Sequence, residues 1–203
     1  MRFVYFDVNG CLIRFYQRAF GHIAETHNIP SDVIETAFWH YNDAACRGQF
    51  TAADFDEVLA KRIGINSINW ADNYLAAAEP IDTMHQLVCW AADNYKVGLL
   101  TNIMPGLLSG LKSLDKVPAI HYDAIVDSSE LGVIKPEPEI YAIAEERAGV
   151  KPSEILFIDD TKANLMAAEE RGWHVLWFDY GRPEESVVEI RKALEPRSSA
   201  DHS

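Results

Sequence analysis

Seven polar residues in four short segments of this sequence have side chains that suit chemistry at phosphorus. Three of the segments follow apolar runs and the fourth precedes a proline. The residues are Asp7 and Asn9, Thr101 and Asn102, Lys135, and Asp159 and Asp160. The carboxylate of Asp7 could attack phosphorus and divide one displacement into two easier ones. Each segment alone fits a turn, a helix cap or a surface lysine, but their joint occurrence favours one shared site.

Carboxylates gathered at one site would repel each other, so the pattern predicts a bound cation. Mg²⁺ prefers a few carboxylate oxygens, with water and substrate phosphate completing its octahedron. It would also neutralise the approach of Asp7 to an anionic phosphate. Thr101 and the main-chain amides beside it, including that of Asn102, could hold phosphate oxygens. Lys135 could stabilise charge on Asp7 and on the phosphoryl group.

The elements that must position these residues alternate between strand and helix. Five short apolar runs have the character of buried strands, and each ends at a polar residue. They occupy residues 3–8, 97–100, 124–126, 155–158 and 175–178. Helical patterns between them predict an α/β fold with a Rossmann-like parallel sheet. Ligands of such sheets bind at the carboxyl ends of the strands, where six of the seven polar residues lie, all but Lys135.

The segment from residue 14 to residue 80 has helical periodicity and no convincing strand. Thr51 and Asp54 resemble a capping box, and Gly64 fits the end of a helix. We therefore expect an inserted helical cap domain at 14–80, within a core formed by 1–13 and 81–195. The polar stretch at 196–203 is expected to be a disordered tail.

Some side chains of the predicted cap are candidates for contact with a substrate. Arg47, between two cap helices, could hold a second anionic group. Phe15, Tyr16 and Arg18, just after the first polar segment, could line the entrance. The tryptophans are expected in the core rather than as stacking platforms; they are Trp39, Trp70, Trp90, Trp173 and Trp177.

Bulk properties restrict the class of protein and its partners. The chain has 203 residues, 48% of them hydrophobic, and a formal net charge of -13, which disfavours nucleic acid and anionic membranes as partners. The three cysteines form no CxxC pair, so we expect reduced thiols rather than disulfides or zinc ligands. The apolar runs are too short for a signal peptide or a membrane span. We expect a cytoplasmic protein, and no pattern indicates its oligomeric state.

The segments FDVNGCL, LLTN, GVIKPEPEIY and LFIDDTKANL occur in this order. They resemble the four motifs of the haloacid dehalogenase-like hydrolase superfamily, which contains mostly phosphatases. The resemblance extends from the first strand to about residue 178, and the helical segment resembles that superfamily's cap. The helical-cap subgroup with the phosphatase domain of soluble epoxide hydrolase looks most similar. The resemblance implies a Mg²⁺-dependent phosphatase that acts on a small phosphorylated metabolite.

The resemblance also implies roles at the substrate and at the cation. Asp7 would be the nucleophile, Thr101 would bind phosphate and Lys135 would orient it. The cation ligands would be Asp7, the main-chain carbonyl of Asn9, Asp160 directly, and Asp159 directly or through water.

Position 9 departs from the pattern of these phosphatases, which normally carry an Asp there as general acid and base. Asn9 can donate a hydrogen bond but cannot transfer a proton. General acid–base catalysis contributes roughly 10²–10⁴-fold, so we expect a slowed phosphatase. Two alternatives stay open: a catalytically impaired protein that binds phosphate compounds or a partner, and a 2-haloacid dehalogenase, which uses an Asp nucleophile without metal. Asp159 and Asp160 argue against the latter, because they would repel the carboxylate of a haloacid.

Overall fold

The computed structural model describes residues 1–195, which alternate between strands and helices over most of their length. In chain order the elements are β1 (Phe3–Phe6), β2 (Ile13–Arg14), α1 (Tyr16–His27), α2 (Ser31–Cys46), α3 (Ala52–Ile63), α4 (Trp70–Ala77), β3 (Glu79–Pro80), α5 (Asp82–Ala92), β4 (Lys96–Thr101), α6 (Leu107–Ser113), β5 (Ala124–Asp127), α7 (Ser128–Leu131), α8 (Pro138–Ala148), β6 (Ile155–Asp159), α9 (Lys162–Glu170), β7 (His174–Trp177) and α10 (Pro183–Leu194). The tail expected at 196–203 lies outside the described residues. Within the described part, no helix is both long enough and apolar enough to cross a membrane.

Five strands form one sheet in the order β5-β4-β1-β6-β7. Every neighbouring pair in this sheet runs parallel. All five predicted strand segments belong to it, so the predicted α/β fold with a parallel sheet is confirmed. Because β1 lies between β4 and β6, the residues that follow these three strands lie side by side.

The central strand β1 contributes to hydrophobic cores on both faces of the sheet. Val4 and Phe6 belong to one core, and Phe3 and Tyr5 belong to the other, as the alternation of side chains along a strand requires. All four are fully buried, which explains the continuous apolar run in the sequence. This packing holds the end of β1, and thus the residue that follows it, in a fixed position.

Helices α1 to α4 form a helical insert, which we define as residues 14–80. The capping box predicted at the start of α3 is confirmed: Thr51 and Asp54 each accept from the other's main-chain amide at 3.1 Å. Gly64 ends α3 in the left-handed conformation, as predicted. The insert packs on the same face of the sheet as Val4 and Phe6, in one continuous core.

Two short strands at the ends of the insert correct the expectation that it holds none. Ile13 and Arg14 of β2 pair antiparallel with Pro80 and Glu79 of β3. A two-residue strand has no alternation of apolar and polar side chains, so hydrophobic periodicity does not reveal it. The ribbon brings the two ends of the insert together, and the boundaries expected near 13 and 81 fall at this ribbon.

Two of the five tryptophans are exposed, which corrects the expectation that all lie in the core. Trp39 is 46% exposed and Trp177 is 44% exposed. The indole N–H of Trp39 donates to Glu35 Oε1 at 3.3 Å, and that of Trp177 donates to the main-chain carbonyl of Asp160 at 2.8 Å. Tryptophan suits such boundaries because it combines an apolar body with one polar edge.

Candidate active site

Three of the predicted site residues lie side by side at the carboxyl edge of the sheet. Asp7 directly follows β1, Thr101 ends β4 and Asp159 ends β6. The Asp7 main-chain amide donates to the carbonyl of Ile158 at 2.9 Å, which extends the pairing of β1 with β6. The sheet therefore fixes the position from which the Asp7 carboxylate projects.

A cavity of about 1010 Å³ is lined jointly by this edge and by the insert. Its wall includes five of the predicted site residues: Asp7, Asn9, Asn102, Lys135 and Asp160. We call the charged part of this wall, formed by Asp7, Lys135 and Asp160, the cavity floor. The predicted entrance residues Phe15, Tyr16 and Arg18 also line the cavity.

Lys135 binds one carboxylate of the cavity floor, that of Asp7, and one carboxylate off the cavity wall, that of Asp159. Its Nζ lies 2.8 Å from Asp7 Oδ1 and 2.6 Å from Asp159 Oδ2, and it donates to the Leu100 carbonyl at 2.9 Å. The ammonium thus uses all three of its donors. Burial lowers the pKa of Lys135, but the two carboxylates outweigh burial and raise that pKa above its ordinary value. Lys135 therefore keeps a fixed positive charge against Asp7.

Asn102 holds the main chain of Lys135 in place. Its Nδ2 donates to the Lys135 carbonyl at 2.9 Å, and its Oδ1 accepts from the Lys135 amide at 2.8 Å. The side chain of Asn102 thus pairs with main chain that belongs to no helix or strand. Asn102 was predicted to bind phosphate through its main-chain amide, whereas both ends of its side-chain amide bind the main chain of Lys135.

The adjacent carboxylates of Asp159 and Asp160 have different surroundings. Besides Lys135, Asp159 accepts from the Thr161 amide at 2.7 Å and from Asn164 Nδ2 at 3.1 and 3.2 Å. It is fully buried, and within the described chain it lies off the cavity wall. Asp160 lies on that wall, and its carboxylate accepts from the Thr161 hydroxyl at 3.3 Å. Asp160 is therefore the member of the pair that can bind a cation in the cavity.

The carboxylates of Asp7 and Asp160 are close enough to share a cation. Oxygen atoms of these two residues and the Cys11 sulfur all lie within 4.8 Å of one another. Gly10 provides the space, because a Cβ at this position (φ +91°) would lie 2.2 Å from Asp160 Oδ2. Burial raises the pKa of the Cys11 thiol, which keeps it protonated. The oxygens therefore fit a hard cation such as Mg²⁺, and the thiol does not.

Lys135 does not balance the negative charge around it. Three carboxylates against one ammonium leave two uncompensated charges when all groups are ionised. Burial raises the pKa of Asp7 to about 8, opposed by Lys135 and reinforced by Asp159 and Asp160. Burial, with the charge of Asp159, raises the pKa of Asp160 to about 6. A divalent cation would offset this excess of negative charge.

Asn9 lies on the cavity wall with its side-chain amide held at both ends. Its Oδ1 accepts from the Tyr74 hydroxyl at 2.7 Å, and its Nδ2 donates to the Asn102 carbonyl at 3.1 Å. Because the Asn102 carbonyl can only accept a hydrogen bond, the side-chain nitrogen of Asn9, and not its oxygen, must point toward it. Nδ2 of Asn9 carries two hydrogens, and only one of them has a hydrogen-bond partner among residues 1–195. Tyr74, on α4 of the insert, could not be identified from the sequence, because no motif joins it to a residue 65 positions away.

Thr101 is fully buried, and its hydroxyl has no hydrogen-bond partner among residues 1–195. An unsatisfied buried polar group costs about 1–3 kcal/mol. A phosphate oxygen bound beside β4 would remove this cost. Thr101 itself lies off the cavity wall, although the next two residues line it.

The structure does not bring Arg47 to the cavity formed by the described residues. Its guanidinium forms a two-bond ion pair with Glu137, just before α8. Beside it, the Cys46 carbonyl accepts from the Ser128 hydroxyl at 2.6 Å, and the Ile103 amide donates to the same hydroxyl oxygen at 3.0 Å. The end of α2 therefore attaches the insert to the core. No pattern in the sequence indicates this role of Ser128.

The haloacid dehalogenase-like hydrolase family profile matches residues 1–172. The chain belongs to this hydrolase family. It is 28% identical over 206 residues to acyl-CoA dehydrogenase family member 10 of Mus musculus, covering 95% of this chain and 19% of that protein. It is 40% identical over 121 residues to bifunctional epoxide hydrolase 2 of Rattus norvegicus, covering 57% of this chain and 20% of that protein. The aligned regions therefore span about a fifth of the length of these two relatives.

Other relatives of this hydrolase match it along most of their length. A phosphatase from Mycobacterium tuberculosis is 29% identical over 206 residues, or 94% of each chain. A HAD family enzyme from Bacteroides thetaiotaomicron, solved with magnesium and inorganic phosphate, has a TM-score of 0.74 at 21% identity, covering 89% of this chain and 96% of that chain. L-2-haloacid dehalogenase from Xanthobacter autotrophicus, solved with covalently bound chloropropionic acid, has a TM-score of 0.67 at 22% identity, covering 97% and 85%. The shared fold does not distinguish between these chemistries, which depend on the residues of the site.

Proposed function

We propose that this hydrolase is a Mg²⁺-dependent phosphatase that acts on a small phosphomonoester through an aspartyl-phosphate at Asp7. The observation that carries the proposal is the buried contact between Asp7 and Lys135, with the Asp160 carboxylate on the same cavity wall. A nucleophile, a fixed positive charge and a cation ligand thus share one pocket. The aligned phosphatase from Mycobacterium tuberculosis supports the same conclusion.

In the first step, an Asp7 oxygen attacks phosphorus, and the bond from phosphorus to the ester oxygen breaks. Lys135 stabilises the negative charge on Asp7 and on the phosphoryl oxygens. In the second step, water attacks phosphorus, the bond to Asp7 breaks and inorganic phosphate leaves. Asn9 can donate a hydrogen bond to the leaving oxygen, but it cannot protonate that oxygen, and it cannot remove a proton from the attacking water. The leaving group must therefore take its proton from solvent, and the attacking water must lose its proton to solvent. Both steps are slowed as a result.

Asp7, Asp160 and the main-chain carbonyl of Asn9 would hold the cation. When bound, Mg²⁺ would offset the negative charge shared by the carboxylates and the phosphate. Asp159 would act indirectly, by holding Lys135 against Asp7. The helical insert would be the cap, which limits the access of bulk water to Asp7.

The charge at the cavity floor favours a phosphate ester over a haloacid. A haloacid dehalogenase uses no metal. The carboxylate of a haloacid would therefore lie next to Asp7 and Asp160 with no cation to offset their negative charge. Asn9 supports a second candidate function, because its amide is bonded at both ends and cannot transfer a proton. That candidate is a protein that binds phosphate compounds and turns them over little.

The test is phosphate release from phenyl phosphate with and without Mg²⁺, by the chain and by two matched variants. Asp7→Asn removes the nucleophile, and Asp93→Asn makes the same change at an exposed position after α5. We expect slow, Mg²⁺-dependent release by the chain and by Asp93→Asn, and none by Asp7→Asn. Haloacid turnover without metal would contradict the proposal. Mg²⁺-dependent phosphate binding without any release would favour the second candidate.

A further inference from the structure

The cavity at Asp7 is much larger than a phosphate group requires. Its volume of about 1010 Å³ lies at the upper end of the range for pockets that enclose a whole organic ligand, roughly 300–1000 Å³. The phosphate would contact the charged floor, so most of the wall is left for the organic part of the substrate. The composition of that wall therefore indicates the kind of leaving group.

Seven aromatic side chains of the insert line the cavity, and two of these seven are more than 4% exposed. The other five are packed in the core and at most 4% exposed. The two are Tyr16, which is half-buried, and Trp39, which is 46% exposed. Their ring centroids lie 5.1 Å apart. Glu35 accepts the Trp39 indole N–H, so the ring carbons remain as an apolar surface on the wall of a pocket, where exposed apolar area indicates a ligand.

The charges around these rings disfavour a second anionic group on the substrate. The charged insert residues on the wall are Arg14, Arg18, Glu35, Asp43 and Glu79. Two positive and three negative charges leave one net negative charge. Arg18 is paired with Glu79 at 2.9 Å, and Arg47, the expected ligand of a second anion, lies elsewhere. An uncharged group is therefore the better fit.

We propose that the leaving group of the substrate is an uncharged aromatic alcohol whose ring lies against Tyr16 and Trp39. This inference rests on the proposed phosphatase activity and narrows its substrates to aryl phosphates without a second anionic group. Aromatic rings attract one another in offset or edge-on arrangements beyond the area that they bury. The chemistry at Asn9 agrees, because a phenolate departs more readily than an alkoxide and needs a general acid less.

The kinetic test compares kcat/KM for 1-naphthyl phosphate with that for acetyl phosphate, which has no ring. The variants are Trp39→Ala, Trp39→Phe and the control Val33→Ala, an exposed position on the same helix that lies off the cavity wall. Trp39→Ala should lower kcat/KM for 1-naphthyl phosphate about tenfold, mainly through KM, and leave acetyl phosphate unchanged. Trp39→Phe should recover most of the loss, and Val33→Ala should match the parent chain. An equal loss for both substrates, or no loss for 1-naphthyl phosphate, would overturn the inference.

Calorimetric binding separates this inference from the phosphatase activity on which it rests. Affinity for 1-naphthyl phosphate is measured with Mg²⁺ in the Asp7→Asn variant, with and without Trp39→Ala. Binding that depends on Trp39, in a protein whose parent chain releases no phosphate, would refute the activity and support the aromatic site. Undetectable binding, or binding that Trp39→Ala leaves unchanged, would refute the aromatic site.

Discussion

Asn9→Asp should restore a proton donor beside the departing oxygen. In the structure, Asn9 Oδ1 accepts from the Tyr74 hydroxyl at 2.7 Å, and Nδ2 lies 3.1 Å from the Asn102 carbonyl oxygen. An aspartate keeps the first contact, but its second oxygen would face another acceptor. Protonation removes this repulsion, because a carboxylic acid can donate to the carbonyl. The new side chain is therefore expected to rest as a neutral acid, ready to protonate a leaving group.

The expected gain follows from the usual contribution of a positioned general acid, roughly 10²–10⁴-fold. At 1.36 kcal/mol per factor of ten, this is about 3–5 kcal/mol of activation free energy. The assay is phosphate release with saturating Mg²⁺ from an alkyl phosphate and from acetyl phosphate. The alkyl ester should gain more, because its alkoxide depends more strongly on protonation. Asn94→Asp, at an exposed position after α5, controls for the added charge and should leave both rates unchanged.

An equal gain for both leaving groups would refute the general-acid argument. The absence of any gain in an Asn9→Asp variant that still binds Mg²⁺ would refute it as well. Tyr74→Phe in the Asn9→Asp background removes one of the two contacts that hold the new carboxyl group, so part of the gain should be lost. A full gain without the Tyr74 hydroxyl would show that this contact does not position the acid.

Three further variants test the cation site, the buried ion pairs and the attachment of the insert. Gly10→Ala places a Cβ 2.2 Å from Asp160 Oδ2, so a Mg²⁺ titration of activity should show about tenfold weaker affinity; unchanged affinity would argue against Asp160 as a ligand. Lys135→Ala leaves two buried carboxylates without their partner, and unfolding of the metal-free protein should show about 3–5 kcal/mol lower stability; an unchanged free energy of unfolding would contradict the buried pairing. Arg47→Ala removes a partly exposed pair with Glu137 worth about 0–1 kcal/mol of stability. Because Arg47 lies off the cavity wall formed by the described residues, kinetics with phenyl phosphate should not change; a large rise in KM would instead support the predicted role of Arg47 at the substrate.

The residues at the sheet edge were predictable because parallel strands share one direction. A buried strand appears in the sequence as an apolar run, and the first polar residue after it marks the carboxyl edge. This reasoning locates Asp7, Thr101 and Asp159 without any knowledge of the strand order. It does not distinguish Asp159 from Asp160, because their different roles depend on which carboxylate Lys135 and Asn164 contact.

Contacts between the insert and the core were not predictable from local patterns. Tyr74 is buried on α4, but no pattern in the sequence indicates that its hydroxyl contacts Asn9. Arg47 has the residue type and loop position of a substrate ligand, but its guanidinium is paired with Glu137, 90 positions away in the sequence. The exposure of Trp39 depends likewise on which face of α2 lines the cavity. Each of these facts is set by the packing of one element on another.

Covalent phosphorylation of Asp7 is the step that defines the proposed mechanism, and mass spectrometry of the acid-quenched protein detects it. The chain is treated with acetyl phosphate and Mg²⁺, and its intact mass and peptide map are recorded. Because Asn9 cannot activate water as a base, the aspartyl-phosphate should accumulate in this chain and disappear faster in Asn9→Asp. We predict one phosphoryl group per chain, located on Asp7, and none without Mg²⁺ or in Asp7→Asn. Phosphate release without a phosphorylated protein, or phosphorylation of another residue, would refute the proposed mechanism.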